Sequence, residues 1–291
     1  MLTGTIIKGI GGFYYVKTES GCIECRSRGK FRQAGETPLV GDLVHIQLTA
    51  EDASKGSVEE ILPRKNVFIR PPVANIDQLI ITVAAKNPEP NLLLVDQLAI
   101  TAEAADVRPV ICVNKLDLDE DFGRKITSIY EKAGYPVVSV SARENWGMEA
   151  LREILKDKTT AFAGNSGVGK SSLLNQLCDY WGLATGDVSE KTKRGRHTTR
   201  HTELFKLPFG GYVFDTPGFS SYEAGHVTAE MLSSLFPEMV PYEADCRFKG
   251  CAHVAEPGCA VKEAVETGAI AKERYDNYCI LYAEAKNQKK W

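Results

Sequence analysis

Residues 164–172, "GNSGVGKSS", restrict the possible fold more than any other stretch of this chain. They match G-x-x-x-x-G-K-[ST], a loop that works only between a strand and a helix. Both neighbours are there: "TTAFAG" reads as a buried strand and "SSLLNQL" as the start of a helix. Glycines let a backbone wrap a phosphate without Cβ clashes, and the loop N–H groups and helix N-terminus supply positive potential. Gly164, Asn165, Ser166, Gly167, Val168, Gly169, Lys170, Ser171 and Ser172 are therefore the candidate phosphate cradle. In such loops the lysine reaches the β and γ phosphates and the following serine ligates Mg²⁺, which gives Lys170 and Ser171 their expected roles.

The surroundings agree. From about residue 76, "QLIITVA", "RPVICV", "PVVSVSA" and "TTAFAG" read as strands. Between them "LLLVDQLAITAEAADV", "EDFGRKITSIYEKAG" and "MEALREILK" read as helices. Strands alternating with helices imply a parallel sheet covered on both faces. Two further strands, "HTELFKLPFG" and "GYVFDT", follow the phosphate loop.

One motif stands on the unexpected side of that loop. "VICVNKLD" ends a strand with Asn114, Lys115 and Asp117, the N-K-x-D pattern by which many proteins read guanine. The carboxylate of Asp117 would accept from guanine N1–H and the exocyclic amine, which adenine does not offer together. One unit later "VSVSA" puts Ser141 and Ala142 just past another strand end, where the Ala142 amide would donate to guanine O6 and Lys115 would pack along the base. Ligands bind at the carboxyl edge of such sheets, so both pairs are well placed. "FDTPG" adds the D-x-x-G pattern: Asp215 for Mg²⁺ and the Gly218 amide for the γ-phosphate. Rotating the element list to start at the phosphate loop recovers the order of a Ras-like GTPase. The chain reads as a circular permutation opened just after Gly218, which converging strand ends and neighbouring surface termini allow.

Between the phosphate loop and "FDTPG" lies "SEKTKRGRHTTRH", a basic, polar segment. It reads as a switch. Thr198 or Thr199 would close over Mg²⁺ and the γ-phosphate, and Lys191, Lys193, Arg194, Arg196 and Arg200 offer an RNA contact. After Gly218 many such enzymes carry a glutamine that orients water, but this chain has Phe219. His197, or a group from a partner, is left to do it. The segment after Phe219 runs into the C-terminal region, so a γ-phosphate-dependent movement is expected to pull on that region.

Residues 1–63 read as five or so short strands, which suits a small barrel of the oligonucleotide-binding kind, with an SH3-like barrel as the competing order. "LPRKNVFIRPP" reads as a connector, and residues 64–224 hold the GTPase pattern. Residues 225–291 carry "CRFKGCAHVAEPGC" and then a helical pattern. Cys246, Cys251, His253 and Cys259 form a Cys₃His set with turn residues between them, the signature of a closed structural Zn²⁺ site. Cys22 and Cys25 sit three apart in a strand and face opposite sides, which reads as structural.

The net charge of −3 excludes a polycation, so nucleic-acid contact must be local. No apolar run is long enough to span a bilayer, and no signal segment precedes the first strand, so a reducing cytoplasm is expected.

Barrel, "NKLD", "SA", "GNSGVGKSS", "GRHTT", "DTPGF" and the Cys/Cys/His/Cys set together resemble the ribosome small-subunit-dependent GTPase family (RsgA, YjeQ, YloQ) over essentially the whole chain. The resemblance implies GTP hydrolysis to GDP stimulated by the small (30S) ribosomal subunit, a role in its late maturation, rRNA contacts, one zinc ion and Mg²⁺ with the nucleotide. It also implies a hydrophobic residue in place of the glutamine, which Phe219 matches, and a switch histidine as the suspected catalytic group, which is His197 here. Lys170, Thr198 and Thr199 complete the expected catalytic set, and the chain is expected to act as a monomer. Two other readings stay open: a GTPase acting on another RNA such as tRNA, and a non-catalytic GTP-dependent RNA-binding scaffold.

Overall fold

Gly and Asp punctuation cuts the start of the chain into strands of alternating burial. These are β1 (Leu2–Ile10), β2 (Phe13–Thr18), β3 (Gly21–Ser27), β4 (Leu43–Leu48) and β5 (Lys55–Ile61). The computed structural model describes residues 1–29, 31, 35–50, 52–69, 71–178, 202–215 and 227–287. It divides into two compact units. One comprises Met1–Gln78, Arg152–Phe162 and Leu177–Phe219, the other Leu79–Leu151, Ala163–Gln176 and Ser220–Trp291.

In the first unit β1 pairs with β2 and β4, β2 with β3, β3 with β5, and β5 with β4. That closes a ring. All pairs are antiparallel except β3–β5. A meander gives only antiparallel neighbours, so this parallel pair decides for the Greek-key order of the oligonucleotide-binding barrel over the SH3-like one. Ile6, Val16, Ile23, Cys25, Val44, Ile46 and Val58 fill the interior. Cys25 is buried and Cys22 exposed, as their spacing implies.

The connector has more structure than its sequence suggests. β6 (Val67–Phe68) and β7 (Val73–Ala74) form a small antiparallel ribbon. Before it, Arg64 forks onto Asp42, with Nε donating to Oδ1 and Nη2 to Oδ2, both at 2.7 Å. Asp42 is fully buried, and this bond raises the Arg64 pKa above its ordinary value. Asn66 exchanges two hydrogen bonds with the backbone of Ile76, at 2.8 and 2.9 Å.

The next strands are β8 (Gln78–Ala84), β9 (Arg108–Asn114), β10 (Val137–Ser139), β11 (Thr159–Ala163), β12 (Glu203–Lys206) and β13 (Tyr212–Asp215). The helices are α1 (Leu92–Ala104), α2 (Glu120–Lys132), α3 (Met148–Leu155), α4 (Lys170–Leu177), α5 (Val240–Glu243), α6 (Ala260–Glu266) and α7 (Lys272–Asn287). In the first unit β11 runs parallel to β13, β12 pairs antiparallel with β13, and β12 meets β1 at Glu203 and Lys8.

In the second unit the strand order is β10-β9-β8, with β9 and β10 parallel. Every residue of β8 is buried, as a strand covered on both faces requires. Helix α1 is capped by Asn91, whose side chain accepts from Leu94 N, and α2 by Asp119, which accepts from Phe122 N. The C-terminal elements of this unit share an apolar cluster with α1: Leu232, Phe236, Met239, Val261, Ile270, Tyr278 and Leu281 pack around Ile100.

Beside that cluster lies a buried ionic group. Arg274 of α7 donates through Nη1 to Asp96 Oδ1 of α1 at 2.6 Å, and through Nε and Nη2 to Glu238 at 2.7 and 3.0 Å. Tyr130 and Asn277 also donate to Asp96, at 2.9 and 2.6 Å. Burial works against the Arg274 charge, but Asp96 and Glu238 outweigh it and hold the guanidinium well above its ordinary pKa. The guanidinium also sits 4.5 Å from the Phe236 ring centroid.

The Asp42–Arg64 fork makes a direct stability prediction. Asp42→Ala removes the acceptor of Arg64 Nε and of the Leu39 N–H, leaves Arg64 Nη2 only the Thr37 carbonyl, and should cost about 2–4 kcal/mol. The urea midpoint of the barrel transition measures it. A loss below about 0.5 kcal/mol, the size of a surface pair, would contradict this reading.

Candidate nucleotide site and cysteine-histidine centre

The phosphate-type loop leaves β11 at Ala163 and enters α4 at Lys170. Two of its glycines are required by close approach. Gly164 has φ +132° and a Cβ there would stand 2.2 Å from Thr82 O; Gly169 has φ +100° and a Cβ there would stand 2.3 Å from Asn114 Nδ2. Val168 is buried, while Asn165, Ser166 and Gly167 are exposed at the loop's rim. Lys170 curls back on the loop, and its Nζ donates to the carbonyls of Gly164 and Asn165, each at 2.7 Å. Burial brings its pKa down to about 8. Ser171 and Ser172 lie in the first turn of α4, with Ser171 exposed.

The base-reading pair lies beside this loop. Asn114, almost fully buried at the end of β9, donates from Nδ2 to Val168 O at 2.9 Å. Its Oδ1 accepts from the Ala142 amide at 3.1 Å. One side chain thus holds the N-K-x-D turn, the S-A turn and the phosphate loop together. Asp117 Oδ1 accepts from Ser141 Oγ at 2.5 Å, and Ser141 is fully buried. The S-A turn is closed by reciprocal backbone bonds between Ser141 and Trp146, at 3.1 Å each. Gln176 of α4 donates to Ala142 O. Lys115 has φ +61°, and its Nζ donates to Asn87 O.

Residues of the segment after β8 therefore belong to the site's surroundings, which the motifs did not reveal. The available signal was its position: it leaves a buried strand at the same edge as the N-K-x-D turn. Asp215 ends β13, and its Cα stands opposite Glu203. His197, Thr198, Thr199, Gly218 and Phe219, together with the basic run from Lys191 to Arg200, lie outside the described residues.

The second candidate centre is the cysteine-histidine loop. The ligand atoms of Cys246, Cys251, His253 and Cys259 all lie within 4.8 Å of one another. His253 Nδ1 stands 3.6 Å from Cys246 Sγ and 3.4 Å from Cys259 Sγ, and those two sulfurs are 3.9 Å apart. A tetrahedral Zn²⁺ with bonds of about 2.3 Å to sulfur and about 2.0 Å to nitrogen needs edges of roughly 3.5–3.8 Å. The four donors fit one zinc ion. Burial lowers the His253 pKa, which favours the neutral ring a metal requires. Its other nitrogen, Nε2, faces Glu243 Oε1 at 3.8 Å. Glu256 accepts from the backbone N–H groups of Ala252, Val254 and Ala255, at 3.0–3.2 Å. Tyr278 and Tyr275 of α7 donate to the carbonyls of Ala252 and His253, each at 2.7 Å. These contacts shape the loop around its ligands.

Known proteins match this arrangement along its length. A family model described as the RsgA GTPase matches residues 61–225, and one described as the RsgA N-terminal domain matches residues 3–58. A curated relative from Ruminiclostridium cellulolyticum, the small ribosomal subunit biogenesis GTPase RsgA, is 49% identical over 289 residues, covering 99% of this chain and 95% of its own. The crystal structure of YjeQ from Thermotoga maritima gives a TM-score of 0.86 at 40% identity, covering 99% of both chains. The structure of YloQ, described as a circularly permuted GTPase, gives 0.82 at 40% identity, covering 100% of this chain and 97% of the other. A small N-terminal barrel, a central GTPase with its base motif ahead of its phosphate loop, and a zinc-compatible Cys₃His loop place this chain in the RsgA family of circularly permuted GTPases.

Proposed function

We propose that the protein hydrolyses GTP to GDP and phosphate and acts in the biogenesis of the small ribosomal subunit, the role named for its relatives. The observation that supports the nucleotide reading is the pair of hydrogen bonds by which Asn114 donates to Val168 O and accepts from Ala142 N, which ties the N-K-x-D turn to the G-x-x-x-x-G-K-S loop. In this reading Asp117, oriented by Ser141, accepts from the guanine N1–H and amine. The Ala142 amide already serves Asn114, so its bond to guanine O6 is a shared, three-centre one. Lys115 flanks the base.

The amides of Gly164 to Ser172 cradle the phosphates. Lys170 leaves the carbonyls of Gly164 and Asn165 for the β and γ oxygens. Ser171, Asp215 and one of Thr198 and Thr199 would hold Mg²⁺, which neutralises charge on the phosphates, and Gly218 contacts the γ-phosphate. With Phe219 where a water-orienting glutamine often stands, His197 or a group from the partner positions the water. We assign residues 1–63 to an RNA-binding barrel, 64–224 to the GTPase and 225–291 to the zinc-bearing region. The partner is the 30S subunit through its rRNA, and the protein works as a cytoplasmic monomer. Among the described residues no helix is long and apolar enough to cross a membrane.

Turnover of GTP with and without purified 30S subunits tests this reading. Stimulation by 30S is expected, by orders of magnitude rather than by a factor near one, because the partner completes the site. Absence of turnover under both conditions would favour a binding scaffold, and stimulation by tRNA alone would favour another RNA target.

Lys170 supplies a second test. Burial lowers its pKa to about 8, and a bound phosphate would raise it again. GDP binding should therefore take up a fraction of a proton per site at pH 8, where the GDP phosphates are already fully ionised. Affinity should fall as pH rises through 8. Calorimetry in two buffers of different ionisation enthalpy reads the proton count, and zero uptake at pH 8 would contradict the assignment of Lys170 to the phosphates.

A further inference from the structure

Helix α1 has two faces with different duties. One face turns toward the phosphate loop: Leu94, Val95 and Leu98 line a small cavity of about 10 Å³ together with Gly164, Asn165 and Val168, room for no more than a single water. The other face carries Asp96, fully buried and met by Arg274 and Asn277 of α7 and by Tyr130 of α2. Asp96 follows Val95 directly, so the ionic contact and the loop contact fall within the same turn of α1.

α7 is in turn fixed at the cysteine-histidine loop by the hydroxyls of Tyr275 and Tyr278. From the cysteine-histidine loop to α7 and from α7 to α1 each step is a short hydrogen bond, and α1 and the phosphate loop line one small cavity. Asp96, Arg274, Tyr275, Asn277 and Tyr278 themselves belong to no nucleotide or metal motif.

We propose that Asp96 and Arg274 are positioning residues for the phosphate loop: their buried ion pair sets where α1 sits on α7, and α1 sets the height of the loop. The proposal rests on the assignment of residues 164–172 to the nucleotide phosphates. In this proposal the directional, charge-paired contact fixes the register between α1 and α7 more narrowly than apolar packing alone would. A loop displaced by a fraction of an ångström presents its amides to the phosphates at poorer distance and angle.

The test measures GDP affinity, thermal midpoint and zinc content together on the full chain. Asp96→Asn keeps the side-chain shape and loses the charge. The triple variant D96N/E238Q/R274M replaces the ionic group with a neutral one of similar volume and leaves no buried charge unpaired. Ile270→Ala, in the apolar cluster of the same unit, supplies a destabilised control that keeps the pair. Lys170→Ala tests the underlying assignment: if it leaves GDP affinity intact, the phosphate-loop reading fails rather than this one.

The expected result is a GDP affinity weakened about tenfold to a hundredfold in Asp96→Asn, with zinc content unchanged, and little change in Ile270→Ala. In the triple variant the thermal midpoint should recover while the affinity does not. Wild-type affinity in a folded Asp96→Asn protein, recovery of both properties in the triple variant, or an equal loss of affinity in Ile270→Ala would each overturn the proposal.

Discussion

Three loops of the candidate nucleotide site hang on one buried amide. Asn114 can serve the Val168 carbonyl and the Ala142 N–H at once because it carries a donor and an acceptor on the same side chain. No apolar residue could take its place without leaving both backbone groups unpaired, at about 1–3 kcal/mol each. Gly169 has no side chain because Asn114 fills the space where a Cβ would go. The base motif and the phosphate loop are thus built to fit each other, although the chain makes the first well before the second.

That fit explains why the permutation is harmless to the site. β9 delivers Asn114, β10 leads to Ser141 and Ala142, and the loop from β11 delivers Val168. Ligand-binding loops gather at strand ends, and the sheet does not record the order in which its strands were made. Three side chains of the candidate site have partners within the protein. Lys170 rests on two carbonyls, Asp117 on Ser141, and Lys115 on the Asn87 carbonyl. On the proposed reading, binding would exchange some of these bonds for bonds to the nucleotide.

Much of this was legible in the sequence, and the legible part shares one property: it is local. The phosphate loop, the N-K-x-D and S-A turns and the Cys₃His set each lie within a short run of residues, with chemistry that few other spacings serve. Helices and strands from 76 to 177 followed from buried apolar runs alternating with helical patterns. The pairing of Arg274 with Asp96 could not be read, because 178 residues separate them and neither stands in a motif. Asn114 reads from sequence as a base contact, and only the fold reveals that both ends of its amide are occupied by protein. The ribbon of β6 and β7 was hidden because its strands have two residues each, too short to show alternation. The choice between two small barrels also needed the fold, since strand count is the same in both and only the β3–β5 pairing separates them.

The central claim is that a turn made early in the chain reads the base of the nucleotide whose phosphates bind a loop made later. Asp117→Asn tests it most directly, since it replaces the acceptor facing the guanine N1–H with a donor while keeping the side-chain shape. Turnover should be measured with GTP and with xanthosine triphosphate, both in the presence of 30S subunits. The account predicts that GTP turnover collapses and that turnover of the xanthine nucleotide appears in its place. Unchanged preference for GTP would contradict it.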